Sequence, residues 1–202
     1  MEQAARYLAL GDSYTIGESV EPAGRWPVQL VGLLRAEGLS VEDPEIIART
    51  GWTTDELDQG IDAAQPQGPY RMVSLLIGVN NQYRGRSAEA YRVELRALLA
   101  RAAGFGGGEP GRVLVLSIPD WGVTPFGQRS DPARVAVEID QFNAVGREEA
   151  LRFGARFVDV TPISRRASQE PGLVAEDGLH PSATMYGEWA RLALPEALGI
   201  LR

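Results

Sequence analysis

The sequence contains no cysteine, no lysine and a single histidine, His180. All 20 of its basic residues are arginines. Without cysteine the chain has no disulfide, no thiolate metal site and no catalytic thiol. Without lysine it cannot form a Schiff base with a substrate, and one histidine cannot give two imidazole ligands to a metal ion. Any chemistry that needs an imidazole must therefore use His180.

Long apolar segments and an excess of positive charge are also missing. The longest apolar runs, such as residues 30–34 and 113–116, are far shorter than the roughly 20 residues that span a bilayer. Residues 1–6 have neither the basic start nor the apolar stretch of a secretion signal. A net charge of −7 repels a phosphate backbone. We therefore expect a cytoplasmic protein with no integral membrane association and no nucleic acid as partner.

Short apolar runs alternate with helical periodicity along the 202 residues. The apolar runs predict five buried strands, at residues 7–10, 46–48, 72–77, 112–118 and 157–160. This alternation is typical of a parallel sheet covered by helices on both faces. We therefore predict one domain over residues 1–202, a three-layer α/β/α sandwich with a five-stranded parallel sheet.

Helix boundaries are indicated by capping residues and by proline. Thr53 and Glu56 have the spacing of a capping box, which predicts that a helix begins there. The last helix is predicted to follow Ser182, and Pro195 is expected to end or kink it. Two long connections, residues 119–130 and 161–176, leave the carboxyl ends of strands, where α/β proteins bind ligands. Both connections are thus candidate pocket walls.

Four short motifs lie at the ends of predicted strands or directly before a predicted helix. They are Gly11-Asp12-Ser13, Arg49-Thr50-Gly51, Gly78-Val79-Asn80 and Asp177-Gly178-Leu179-His180. Each of them alone is a weak signal. Their combination, in this order and at strand ends of an α/β architecture, favours one shared site.

Ser13, Asp177 and His180 have the residue types that nucleophilic catalysis by serine requires. A serine hydroxyl is a poor nucleophile until a base takes its proton, and His180 is the only imidazole in the chain. A histidine base needs an acceptor at its other ring nitrogen. Asp177 lies three residues earlier, close enough for a turn to bring its carboxylate to the ring. We therefore predict Ser13 as nucleophile, His180 as base and Asp177 as the orienting acid.

The negatively charged oxygen of a tetrahedral intermediate needs donors that are already in place. Gly51 offers a backbone N–H with no side chain in the way, and Asn80 offers a side-chain amide. The backbone N–H of Ser13 is a third candidate. These three residues form the predicted oxyanion hole.

Taken together, the four motifs resemble those of the SGNH hydrolases, the GDSL esterase and lipase family, over essentially the whole chain. The resemblance implies a flavodoxin-like fold with a five-stranded parallel sheet. It implies that Ser13 is the nucleophile, that Gly51 and Asn80 are oxyanion donors, and that Asp177 and His180 complete the triad. It further implies a small-molecule ester as substrate and no metal or organic cofactor.

The sequence departs from the family pattern at two positions. Tyr14 stands where leucine often follows the nucleophile, and Asn81 stands where aspartate commonly follows the oxyanion asparagine. Neither departure removes a predicted catalytic group. Five large side chains close to the motifs in sequence are candidates for an acyl or alcohol pocket, with core or loop packing as the alternative for each: Trp52, Tyr83, Trp121, Phe126 and Met185.

We predict a serine esterase that hydrolyses small or medium acyl esters, with lysophospholipids, acetylated sugars and thioesters all compatible. The main alternative is a non-catalytic flavodoxin-like protein whose loop at residues 11–19 binds a phosphate-bearing ligand or cofactor. A partner-binding domain with a decayed site is a further alternative. The acidic charge, the absence of lysine and the Asp177–His180 pair favour the enzyme.

Overall fold

A computed structural model of the chain describes residues 3–202. The described residues form a parallel sheet of five strands in the order β2-β1-β3-β4-β5. The strands are β1 Tyr7–Gly11, β2 Glu45–Ala48, β3 Met72–Leu76, β4 Val113–Leu116 and β5 Arg156–Val158. Met1 and Glu2 lie outside the described residues. Both belong to the predicted domain over residues 1–202 and to residues 1–6, in which we expect no secretion signal.

Helices cover both faces of the sheet. They are α1 Ser13–Ile16, α2 Trp26–Ala36, α3 Thr54–Ala64, α4 Val79–Tyr83, α5 Ala88–Phe105, α6 Pro132–Phe153, α7 Thr161–Arg165 and α8 Ala183–Leu201. Helix α2 packs against α8, whereas α5 packs against both α3 and α6. Every residue of β1, β3 and β4 is buried, as expected for strands covered on both faces. The predicted α/β sandwich with a five-stranded parallel sheet is confirmed.

The two predicted helix starts are confirmed, whereas the last helix does not end at Pro195, one of the two outcomes expected there. Thr53 and Glu56 form the capping box in front of α3, and Ser182 caps α8. Pro195 does not end α8, which continues to Leu201 because Ala197 and Ile200 beyond the proline are buried in the core. No helix within residues 3–202 is long and apolar enough to cross a membrane.

Three short helices follow strands in segments for which the sequence predicts no helix. Helix α1 follows β1, α4 follows β3, and α7 begins the connection predicted over residues 161–176. Glycine permits the first of these turns: a Cβ on Gly11 would lie 2.2 Å from Thr15 Oγ1 and 2.5 Å from the carbonyl oxygen of Leu76. Such contacts are far below van der Waals distance. The backbone can therefore turn from β1 into α1 only with glycine at this position.

Candidate active site

The predicted nucleophile, Ser13, is the first residue of α1, directly beyond the carboxyl end of β1. Asp12 caps this helix, since its Oδ1 accepts a hydrogen bond of 3.0 Å from the backbone N–H of Tyr14. Ser13 is 5% exposed. Its backbone N–H donates to no other group within residues 3–202, as is usual in the first turn of a helix. That N–H is available to an oxygen of a bound substrate.

Asp177 and His180 form a hydrogen-bonded pair, with 2.6 Å between Asp177 Oδ2 and His180 Nδ1. Asp177 Oδ1 accepts from the backbone N–H groups of Leu179 at 2.9 Å and of His180 at 3.0 Å. Partial burial of Asp177 raises its pKa, but hydrogen bonds from His180, Leu179 and Ser19 outweigh burial and hold this pKa well below its ordinary value. An ionised Asp177 fixes the proton of a neutral His180 on Nδ1, which leaves Nε2 as the acceptor.

One cavity of about 180 Å³ brings several predicted site residues together. Its lining includes Ser13, Gly51, Asn80 and His180, which come from four separate segments of the chain. Asp177 lies behind His180 and does not line the cavity. No hydrogen bond joins Ser13 to the His180 ring within the described residues, although both face the same space. Hydrogen bonds between catalytic groups are often long or absent before substrate binds.

Two further predicted donors at the cavity have hydrogens that no group within residues 3–202 accepts. Asn80 Nδ2 donates to the carbonyl oxygen of Trp52 at 2.9 Å, so that one of its two hydrogens remains free. The backbone N–H of Gly51 has no acceptor within residues 3–202, and its φ of +87° favours glycine. Arg84 Nη2 donates to the carbonyl oxygen of Gly51 at 2.7 Å. The segments that carry both donors are thus joined to each other.

Asn81, one of the two departures from the family pattern, is completely buried and joins three helices. Its Oδ1 accepts from the backbone N–H of Thr54 at 3.1 Å, and its Nδ2 donates to Thr54 Oγ1 at 2.6 Å and to Glu94 Oε2 at 3.1 Å. An ionised aspartate could accept from Thr54 but could not donate to the carboxylate of Glu94. The amide of Asn81 therefore suits a position next to Glu94.

Aromatic side chains form one wall of the cavity. Tyr83, Trp121 and Phe126 all line it, with ring centroids 5.3 Å apart for Tyr83 and Trp121 and 6.0 Å apart for Trp121 and Phe126. Trp121 Nε1 donates to Gln82 Oε1 at 2.8 Å, which fixes the orientation of the indole. Tyr83 is 57% exposed and lies at the rim. The connection over residues 119–130 does supply a wall of this cavity.

Trp52 and Met185, the other two candidate pocket residues, do not line the cavity. The Trp52 ring packs onto α3, so close that a Cβ on Gly60 would lie 2.1 Å from it. Met185 is buried in the core beside Leu179 and Trp121. Their closeness to motif residues in the sequence did not determine where their side chains point. We therefore drop both from the candidate pocket.

Sequence reasoning missed two residues at this site. Ser19 Oγ donates to Asp177 Oδ2 at 2.7 Å across a separation of 158 residues, a contact that no local pattern reveals. In the sequence Tyr14 is only a departure from the family pattern, yet its ring packs edge-on against the His180 ring with centroids 5.6 Å apart. Within residues 3–202, no three His, Asp or Glu side chains converge as metal ligands would.

The five-stranded parallel sheet and the polar groups that line a cavity at its carboxyl edge place this protein in the class of α/β proteins with a ligand site at that edge. The model of the GDSL-like lipase/acylhydrolase family matches residues 9–187. The chain therefore belongs to this family, which supports hydrolysis of carboxylic esters in general. A search of curated protein sequences finds no match.

Several solved structures share the fold at low sequence identity. TesA superposes with a TM-score of 0.77 at 19% identity, covering 97% of this chain and 99% of TesA. Axe2, an acetylxylan esterase from Geobacillus stearothermophilus, gives 0.70 at 22% identity, with 96% and 94% covered. EstA, an esterase from Pseudoalteromonas sp. solved with monoethylphosphonate as inhibitor, gives 0.72 at 16% identity, with 96% and 97% covered. These likenesses show the common architecture.

Proposed function

We propose that the protein is a serine esterase that hydrolyses small or medium acyl esters through a covalent acyl-Ser13 intermediate. One observation carries the proposal: the Asp177–His180 pair, 2.6 Å apart, presents its histidine to the same cavity as Ser13. Within residues 3–202, three polar hydrogens at that cavity have no acceptor, and they belong to Ser13, Gly51 and Asn80. These are the groups that acyl transfer to serine requires.

In the first half of the reaction, the ester carbonyl binds with its oxygen towards the free donors. His180 Nε2 takes the proton from Ser13 Oγ as that oxygen attacks the carbonyl carbon. Negative charge develops on the former carbonyl oxygen and is stabilised by the backbone N–H groups of Ser13 and Gly51 and by the Asn80 amide. Collapse of this intermediate expels the alcohol, which receives its proton from His180. The acyl group is then bonded to Ser13.

In the second half, water replaces the alcohol. His180 takes a proton from the water as its oxygen attacks the acyl carbon, and the same three donors stabilise the second intermediate. Collapse releases the carboxylic acid and returns the proton to Ser13 Oγ. Asp177 remains ionised throughout and stabilises the imidazolium that forms twice in each cycle. Acid therefore lowers the activity, because protonated His180 cannot act as a base.

The dimensions of the cavity support a short acyl group. Its volume of about 180 Å³ is smaller than the roughly 300 to 1,000 Å³ of pockets that enclose a drug-sized ligand. The rings of Tyr83, Trp121 and Phe126 close one side and favour an apolar acyl chain over a charged one. Acetyl and butyryl esters, including acetylated sugars, fit this space better than the long acyl chain of a lysophospholipid.

The alternative of a phosphate-binding loop over residues 11–19 is not favoured by any contact in this region. Asp12 is buried and caps α1, the Glu18 carboxylate accepts from Thr50, and the Ser19 hydroxyl donates to Asp177. A phosphate placed here would meet the carboxylates of Glu18 and Asp177. The cytoplasmic location and the absence of a nucleic-acid partner stay predictions from composition.

Labelling with an organophosphonate tests the proposed nucleophile. We expect one phosphonyl group per folded chain, on the peptide that contains Ser13, as measured by mass spectrometry. Ser13→Ala and heat-unfolded wild type are the controls and should remain unlabelled. Folded wild-type protein that stays unlabelled, or label on another serine, contradicts the proposal.

A panel of p-nitrophenyl esters from acetate to palmitate, together with acetylated xylo-oligosaccharides, tests the proposed substrate class. We expect kcat/KM to be highest for acetate or butyrate and to fall steeply beyond octanoate. A maximum at palmitate would show that the cavity in the structure does not limit the acyl chain.

A further inference from the structure

The turn after α1 reaches the far end of the chain at Asp177. Ser19 Oγ donates to Asp177 Oδ2 at 2.7 Å, and this same oxygen lies 2.6 Å from His180 Nδ1. The other carboxylate oxygen accepts from two backbone N–H groups of its own turn, those of Leu179 and His180. Within residues 3–202, Ser19 is thus the only donor to Asp177 from outside the 177–180 segment.

Ser19 is itself held at a defined place by its neighbours. The backbone N–H groups of Gly17 and Glu18 both donate to the carbonyl oxygen of Ser13 at 3.0 Å. The Glu18 carboxylate accepts a hydrogen bond from the Thr50 hydroxyl, next to the predicted oxyanion donor at position 51. The turn that carries Ser19 is therefore attached to the nucleophile on one side and to the oxyanion loop on the other.

The backbone of Ser19 adopts a conformation that serine rarely takes. Its φ is +62°, in the left-handed region where glycine is favoured. A glycine would adopt this turn with less strain but would have no hydroxyl. The hydroxyl of Ser19 supplies the hydrogen bond to Asp177 that a glycine at this position would lack.

We propose that Ser19 is a positioning residue for the acid of the catalytic triad. Its hydroxyl holds Asp177 Oδ2 in line with His180 Nδ1 and, through the ring, holds Nε2 towards Ser13. Ser19 does not line the cavity and so does not contact the acyl group there. The inference rests on the proposed esterase function, because it assigns Ser19 a role in orienting that machinery.

Loss of the Ser19 hydroxyl is expected to lower kcat moderately and to change its dependence on pH. The Asp177 side chain is 30% exposed, so water replaces part of a lost hydrogen bond. We therefore expect a loss of about threefold to tenfold in kcat, far less than the roughly 10⁴-fold that replacement of a triad acid causes. The hydroxyl dipole also offsets part of the negative charge that faces His180. Without this donor the full charge of the carboxylate faces the imidazolium, so we expect the acid limb of the kcat/KM profile to move to higher pH.

Two substitutions separate the hydroxyl from the backbone strain. Ser19→Ala removes the hydroxyl and keeps a Cβ in the left-handed conformation, whereas Ser19→Gly removes the hydroxyl and relieves the strain. The matched control is Ser168→Ala, which removes another exposed serine hydroxyl, bonded at 3.0 Å to the carbonyl oxygen of Arg165. The carboxyl groups of Asp12, directly before Ser13, and of Glu18, which accepts from Thr50, are unchanged in all three variants.

Steady-state kinetics on a short-chain ester from pH 5 to 9 give the first readout. We expect both Ser19 variants to lose kcat by the same factor, with KM within twofold of wild type and the acid limb shifted to higher pH. Ser168→Ala should behave as wild type. Wild-type kinetics in Ser19→Gly, or a loss of activity with no shift of the acid limb, overturns the inference.

NMR of the single histidine gives a second readout that does not depend on activity. The low-field Nδ1–H resonance can belong only to His180, and we expect both Ser19 variants to shift or broaden it while Ser168→Ala leaves it unchanged. An active wild type whose Ser19 variants show an unaltered resonance overturns the role of Ser19 and leaves the esterase proposal standing. An unlabelled, inactive wild type whose resonance still shifts in the variants overturns the esterase proposal alone.

Discussion

Replacing Asp12 by asparagine is expected to stabilise the folded protein more at pH 8 than at pH 4, by up to about 4 kcal/mol. The Asp12 carboxyl group is completely buried directly before the predicted nucleophile. Its Oδ1 accepts from Tyr14, but its Oδ2 has no hydrogen-bond partner among the described residues. Burial raises the pKa of Asp12 to about 7, and the backbone hydrogen bond from Tyr14 offsets only part of that rise.

The sign and size of the effect follow from proton binding. In the unfolded chain the carboxyl group ionises near its ordinary pKa of 3.8, whereas the folded protein keeps the proton until about pH 7. Between these values the unfolded state binds fewer protons, so the free energy of unfolding falls as the pH rises. Each pH unit is worth about 1.4 kcal/mol for one proton, and roughly three units give about 4 kcal/mol. Asparagine has no such proton, and its Oδ1 can still accept from Tyr14.

Urea unfolding of wild type and Asp12→Asn at five values between pH 4 and pH 8 measures this effect. The difference between the two proteins is the relevant quantity, because contributions from all other titrating groups cancel in it. Asp43→Asn, at a highly exposed carboxylate on the surface, controls for the loss of one negative charge. We expect the difference to grow from pH 4 to about pH 7 and then level off. A difference that stays constant across this range would refute the reasoning.

Three further predictions concern the site and its support. His180→Ala should lower kcat at least about 10³-fold with an unchanged circular dichroism spectrum, since the chain has no second imidazole; activity near wild type contradicts the mechanism. Asn81→Ala leaves the buried backbone N–H of Thr54 without its acceptor and removes one donor from Glu94. It should lower the free energy of unfolding in urea by about 1 to 3 kcal/mol and also lower kcat; an unchanged stability contradicts this. Trp121→Ala should move the preference among p-nitrophenyl esters to longer acyl chains. Trp52→Ala should lower the free energy of unfolding and leave this preference unchanged. Equal effects of the two variants on the ester preference would contradict the assignment of the cavity wall.

The location of the site was predictable because the topology of a parallel sheet determines it. The apolar runs at residues 7–10 and 72–77 predict parallel strands, whose carboxyl ends lie at the same edge of the sheet. The motifs that follow these strands therefore meet at that edge. Side-chain direction was not predictable in the same way. Trp52 and Tyr83 both lie within three residues of a motif in the sequence, yet Trp52 packs onto α3 and Tyr83 lines the cavity.

Contacts between distant segments were the other part that the sequence did not reveal. The Ser19–Asp177 hydrogen bond depends on a single left-handed residue and on the relative position of two loops. Helix α8 continues beyond Pro195 because Ala197 and Ile200 are buried in the core. Local helix propensity does not include this burial. Both features are set by tertiary packing.

The hydrogen bonds between α4 and the loop before α3 have a consequence for inhibitor design. Asn80, Asn81 and Arg84 all bond to residues 51–54, so three hydrogen bonds fix the relative position of the two segments that carry the proposed oxyanion donors Gly51 and Asn80. An inhibitor with a tetrahedral centre would meet donors whose spacing is already set, and little of its binding energy would be lost in ordering them. Resistance to such an inhibitor could then arise at Thr54 or Glu94, which hold that spacing from a distance.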